Sequence, residues 1–314
     1  MGKYTLLEKE NILGSNRSII FKRYGTQASV TDLAILLGGY VSEDTIVYNR
    51  QSKKYMAGPW WTKTEENENK IYVTCKNGKS DIAPNSATQI GIRPSTKYLE
   101  IFKDTLIDYK KENNSIKEVK YGEYPQWIAD EESSIRLEAL YNLDVLIKTG
   151  KTYNIDKEYI EYEHNGLNYI RFYPVKTFDK TLSNGKKIEQ KPYWVKVLPV
   201  EWITNSAENI MISKHILISG IEYADEIGKN YEKSSIRKFL NESFEKDILP
   251  SEKRTISQLK TKYVEELAKT KQELKNIKEA LNKIENIYSN EEELSEKEEK
   301  RKRLVLDIIK QTTK

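Results

Sequence analysis

The sequence predicts an α+β protein, and three observations carry that expectation. Helical periodicity is concentrated near the N-terminus and at residues 131–146, β-prone alternation fills most of residues 40–223, and beyond Pro250 the chain switches to a charged 4–3 apolar repeat.

Taken in order, residues 4–23 (YTLLEKENILGSNRSIIFKR) predict two short helical pieces joined at Gly14 and Ser15. Residues 26–39 predict a helix capped by Ser29 or Thr31, striped by Leu33, Leu36 and Leu37, and ended by Gly38 and Gly39. Strands follow: GYVSEDTIVYN supplies short β-prone runs, and KIYVTCKNGK is a strand entering an Asn77–Gly78 turn. Residues 95–117 read as a polar connector with one element around 101–109. Residues 116–129 (IKEVKYGEYPQWIA) read as a strand ending near Gly122 and Pro125. Residues 131–146 form an amphipathic helix, with Leu137, Leu140, Tyr141 and Leu143 on its buried side. Two hairpins come next, turning at His164-Asn165-Gly166 and at Ser183-Asn184-Gly185. PYWVKVLPVEWITN and NIMISKHILISGIEY read as central strands, and residues 233–249 close the globular part as a helix. From 251 to 314, Leu267, Leu274, Leu281 and Tyr288 mark one seam position and Thr270, Ile277 and Ile284 the other. A charged helical hairpin and a coiled coil that pairs with another chain through 256–288 fit this tail equally well.

Composition excludes several functions. The 52 basic and 48 acidic residues leave a net charge of +4, too balanced to call for nucleic acid or anionic lipid. Cys75 is the single cysteine, so neither an intrachain disulfide nor a cysteine-based zinc site forms. The start lacks a basic region followed by an apolar stretch, and no apolar run of membrane-spanning length occurs. Cytoplasmic placement is therefore expected, and assembly into a virion is compatible with the same features. No phosphate-binding, dinucleotide-binding, zinc-protease, calcium-loop or nucleophile-elbow motif is present, and the two histidines, His164 and His215, are too few for most metal sites. The expectation is no metal and no cofactor. With 48 carboxylates, no acidic pair is singled out for acid–base work.

The tryptophans say more. Trp194 and Trp202 flank VKVLPVE and read as core, as does Trp60; in an extended chain Trp61 points the other way, which leaves its exposure open. Arg93, before Pro94, reads as structural, closing an ion pair or hydrogen-bonding carbonyls. Aromatic anchors beside Asn and Glu are the chemistry of protein-binding surfaces.

Several phrases carry a resemblance. YGEYPQW (121–127), YWVKVLPVEW (193–202), ILISGIEY (216–223) and SSIRKFLNESF (234–244) resemble a Firmicute domain of unknown function. WWTKT, IYVTCKNG and IGIRPS resemble the end of the same family, and KYTLLEKE, YGT and TDLAILLGGY resemble full-length proteins built the same way. That family looks related to the formylglycine-generating, sulfatase-modifying fold, which is C-type-lectin-like. The resemblance implies such a core over 1–250, with the order of segments changed. Either one domain is circularly permuted, or two half-domains (1–100 and 118–250) pack together. The reactive cysteine pair of the sulfatase-modifying enzymes has no counterpart beside Cys75, so that chemistry does not carry over. What carries over is display: relatives vary between the Trp and the Gly-x-Arg-Pro. The resemblance thus places Glu65, Glu66, Asn67, Asn69, Tyr72 and Lys76 on a partner-binding surface, which Trp61 joins as a candidate aromatic anchor, with Trp60, Arg93 and Pro94 as framework beside the structural Trp194 and Trp202. The expected function is a non-catalytic recognition module that binds another protein through residues 60–92. The alternatives are a phage or mobile-element effector that inhibits a host or defence protein, a phage receptor- or glycan-binding protein, and an enzyme with a carboxylate-only site.

Overall fold

In the computed structural model, residues 3–48, 54–98, 101, 116–174, 179–224 and 230–249 are described, together with helical residues 275, 279, 299–301, 303 and 304. The chain divides into two compact units, Met1–Pro250 and Ser251–Lys314. Most of the element expected at 101–109, and most of the tail expected to be a hairpin or coiled coil, lie outside the described residues. Within the second unit, Lys275 and Glu279 sit on a helix with their charges 3.9 Å apart.

Strand β1 (Tyr4–Thr5) is followed by the short helices α1 (Lys9–Leu13) and α2 (Ile19–Tyr24). Gly14 separates the helices, and Ser18 caps the second by accepting the Ile20 N–H at 3.2 Å. The helix expected over 26–39 is shorter than its sequence signal. Residues Ala28–Val30 form β2, and only Asp32–Leu36 (α3) is helical, with Thr31 as its cap. The reason is tertiary: β2 pairs on both edges, so sheet bonding overrides local helix preference.

Strands β3 (Ser42–Tyr48) and β4 (Lys54–Gly58) pair with each other, and β5 (Trp60–Asn67), β6 (Lys70–Thr74) and β7 (Ser80–Pro84) form a separate three-stranded meander. Then come β8 (Ser95–Thr96), β9 (Ile116–Ile128) and helix α4 (Glu131–Asn142). The meander β10 (Ile147–Asn154), β11 (Glu158–His164) and β12 (Leu167–Phe172) leads to β13 (Tyr193–Asn205), β14 (Ile210–Ser213) and β15 (His215–Ile216). The first unit closes with α5 (Ser235–Phe239), a π-helical turn (Leu240–Phe244) and α6 (Glu245–Ile248). It is a mixed α and β fold.

The thirteen-residue β13 organises the largest sheet. One of its edges carries β9 from Ile128 to Ile116. The other carries β12 along Tyr193–Val197 and then β14 along Trp202–Asn205. From β14 the sheet continues through β8 to β1, and from β12 through β11 to β10. A second sheet has the order β15-β2-β4-β3, its β15–β2 pair parallel. The β8–β14 and β15–β2 pairs join residues before 100 to residues after 116, and one core crosses both stretches.

Three further expectations are corrected. β9 does not end near Gly122 and Pro125 but runs through both. It is bonded only to β13, so the missing Pro N–H costs no ladder bond, and two register shifts absorb the bend. Leu143 is 70% exposed rather than on the buried side, because α4 stops at Asn142 and Asp144 turns the chain at φ 54°. The run 209–223 holds only two short strands, broken at Lys214 where β14 gives way to β15.

Candidate functional site

The β5–β7 meander contains the residues expected to form a partner-binding surface. Alternation along β6 turns Ile71 and Val73 inward, where they are buried with Ala83 of β7. Tyr72 and its cross-strand neighbour Ile82 therefore face outward. Ile82 is 41% exposed, and the Lys9 ammonium sits 3.7 Å from the centre of the Tyr72 ring. Glu66 and Asn67 end β5 and Asn69 lies in the turn to β6, all three exposed. There Asn67 accepts the Asn69 N–H at 3.0 Å and its amide contacts the Glu66 carboxylate. Lys76 is half-buried in the β6–β7 turn, whose backbone is pinned by Gln27 to the Lys76 carbonyl (3.2 Å) and by Thr26 to the Gly78 carbonyl (2.6 Å).

Two members of the expected surface belong elsewhere. Trp61 has no exposed surface: although adjacent residues of β5 point opposite ways, this end of the strand is covered on both faces. Trp60 packs against Phe21 and Trp61 against Tyr223, with ring centroids 6.3 Å and 5.4 Å apart. Glu65 is half-buried, and its carboxylate accepts the Tyr231 N–H at 2.8 Å.

Two of the three outward N–H positions on the free edge of β7 are closed to strand addition. Register places Ser80, Ile82 and Pro84 with their backbone groups outward. Pro84 has no N–H, and the Ile82 N–H is taken by the Asp81 carboxylate at 2.8 Å. The sheet therefore presents its face more openly than its edge. Cys75 lies beside this edge, and burial with the nearby Asp81 pushes its thiol above the ordinary range, away from a reactive thiolate.

The framework residues are all internal. Arg93 is buried, and its Nε donates to the Ser213 carbonyl at 2.7 Å. The Pro94 carbonyl accepts the Ser213 N–H at 2.9 Å. Trp202 donates to the Tyr121 carbonyl at 2.9 Å, and Trp194 to the Glu138 carboxylate at 3.0 Å.

Two other places escape sequence reading. Ser29 Oγ lies 2.6 Å from His215 Nδ1, with Glu201 3.7 Å from His215 Nε2. The residues resemble a nucleophile, base and acid, but Ser29 is buried within β2 and pairs with strands on both edges. Burial lowers the affinity of His215 for a proton, and Tyr55 and Trp127 pack over its ring. The arrangement ties β2 to β15. Its members stand 186 positions apart at Ser29 and His215, so no local signal marks them.

The second place is a groove of about 570 Å³ between α4 and the segment 182–194. Its three carboxylates all sit below their ordinary pKa, held there by Arg171 for Glu138, by Lys186 for Glu131 and by Lys191 for Glu189. Among the described residues, no group of three or more His, Cys, Asp or Glu is arranged to hold a metal ion, and no helix is long and apolar enough to cross a membrane. No family model, curated protein or solved structure matches this chain.

Proposed function

We propose that the 1–250 unit is a C-type-lectin-like, sulfatase-modifying-factor-like scaffold acting as a non-catalytic recognition module for another protein, with the outward face of β5–β7 as its contact surface. The observation that carries this reading is the Tyr72–Ile82 pair. An aromatic and an aliphatic side chain are held outward on a sheet whose other face is locked by Ile71, Val73 and Ala83. A rigid apolar anchor rimmed by adaptable Glu66, Asn67 and Asn69 is the composition that protein-binding surfaces use. The guarded edge of β7 supports face-on contact over strand pairing. The carboxylate-only enzyme has less support: general acid work needs a carboxyl whose pKa is raised, and those in the groove are lowered. The raised ones among the described residues, Asp32 and Asp247, are buried and accept backbone N–H bonds.

The experiment compares proteins captured from lysate of the source cells by the full chain and by a Tyr72→Ala, Ile82→Ser double variant, with quantitative mass spectrometry as readout. At least one protein is expected to be retained by the wild type and lost by the variant, with the unfolding midpoint preserved. An identical capture profile would overturn the assignment of this face.

A further inference from the structure

The groove beside α4 is made by elements other than β5–β7 and stands independently of the recognition reading. Helix α4 turns one full face toward it: Glu131, Ile135, Glu138 and Asn142 follow one another at spacings of three and four along three turns. The helix buries Leu137 instead, in a small cluster with Tyr162, Tyr169 and Trp194. Ile135 is left 67% exposed on the groove wall, although a helix of this composition has Glu, Ser and Arg at hand for solvent. Ile128, Ala139 and Pro192, each at least partly exposed, line the groove as well, so it carries apolar surface of several kinds.

The charges on the walls are already answered within the protein. Glu131 meets Lys186 at 2.7 Å, Glu189 meets Lys191 at 2.5 Å, and Lys187 sits 3.0 Å from both Glu43 and Asp179. Glu138 receives two bonds from Arg171, at 2.7 and 3.0 Å, and a third from Trp194. A charged occupant would have to draw its counter-charge away from a partner already in place. An extended polypeptide would bring backbone N–H and C=O groups that these engaged side chains leave unmet. The Glu131–Lys186 contact also links the helix wall to the opposite wall, bounding the groove at the start of α4. The volume falls in the range of small-molecule sites.

We propose that this groove is a binding site for a small, electrically neutral, largely apolar molecule. The complementarity is of neutral to neutral: apolar surface takes the ligand, and self-paired charges on the rim reject ions.

The test uses the full chain and two naphthalene probes, neutral N-phenyl-1-naphthylamine and anionic 1-anilinonaphthalene-8-sulfonate, followed by fluorescence titration. The neutral probe is expected to saturate at one per chain and to bind about ten-fold or more tightly than the anion, with little dependence on salt. Ile135→Glu, at an exposed position, is expected to weaken the neutral probe at least ten-fold with an unchanged unfolding midpoint. Ala139→Trp, which fills the groove, is expected to do the same. Non-saturating fluorescence, equal affinity for the two probes, or binding unaffected by both variants would overturn the site. Sedimentation decides the remaining occupants: a wild-type dimer that becomes a monomer in Ile135→Glu would assign the face to a second copy and overturn the small-molecule site. A photo-crosslinker at position 135 that captures another polypeptide in lysate would overturn it too.

Discussion

The guanidinium of Arg93 lies over the indole of Trp60, 5.1 Å from the ring centroid, in a site with no carboxylate partner among the described residues. Its Nη1 is buried without a hydrogen bond, and burial depresses its proton affinity. A planar, weakly hydrated cation between aromatic faces is the form of buried charge that costs least. Lysine in its place would keep a compact charge, lose the stacked plane and miss the Ser213 carbonyl. Methionine would lose one hydrogen bond but leave no charge to desolvate. Arg93→Lys is therefore expected to cost about 3 kcal/mol and Arg93→Met less, measured as urea unfolding free energies. The reverse order would show that the charge itself is compensated.

Trp61 and Tyr72 are both aromatic residues of the β5–β7 meander, one fully buried and the other turned outward. Trp61→Ala empties a fully buried site against Tyr223 and is expected to cost about 3–5 kcal/mol. Tyr72→Ala removes an outward ring and is expected to cost about 0.5 kcal/mol, mostly the Lys9 contact. Chemical denaturation of the two single variants checks the contrast, and comparable losses would show that the Tyr72 ring is packed as tightly as a core residue.

Much of the burial pattern is legible in the chain, for particular physical reasons. The Asn165–Gly166 hairpin shows because both residues take positive φ, 52° and 74°, which few others tolerate. Trp60, Trp194 and Trp202 show because large rings in alternating strands have few places to go but inside. Trp61 did not show, since alternation decides which way a side chain points and not whether something packs there. The contact that covers it comes from Tyr223, far along the chain. The same distance hides the Ser29–His215 pair and the groove beside α4, whose two walls are separate stretches of sequence.

Gly122 lets β9 bend. It sits at φ 68°, and a Cβ there would lie 2.6 Å from both the carbonyl oxygen and Cγ1 of Ile248. Gly150 has a similar φ of 80° but open space around it. Gly150→Ala should therefore cost only the left-handed backbone strain, about 1–2 kcal/mol. Gly122→Ala should cost clearly more, because the clash at α6 adds to that strain. Thermal unfolding of both variants gives the comparison, and equal shifts would mean that α6 moves aside freely.

Asp247 adds a pH dependence with a definite sign. It lies in α6, where its carboxylate accepts the Asn154 N–H at 2.7 Å, and burial raises its pKa to about 6. In the unfolded chain the group titrates near an ordinary value of about 3.9. Between those values the folded state holds the proton more tightly, so acidification stabilises it. The gain is complete below the unfolded pKa and is lost as pH rises through about 6. Asp247→Asn keeps an acceptor for Asn154 and has no proton to gain. The variant is therefore expected to be more stable than wild type at pH 7 to 8, by about 1 kcal/mol once solvent screening is allowed for. That advantage should shrink through pH 6 and vanish near pH 4, whatever the other carboxylates contribute, because they titrate alike in both proteins. Unfolding free energies for the pair across this range supply the check. A difference that stays constant with pH would place the Asp247 titration outside the window.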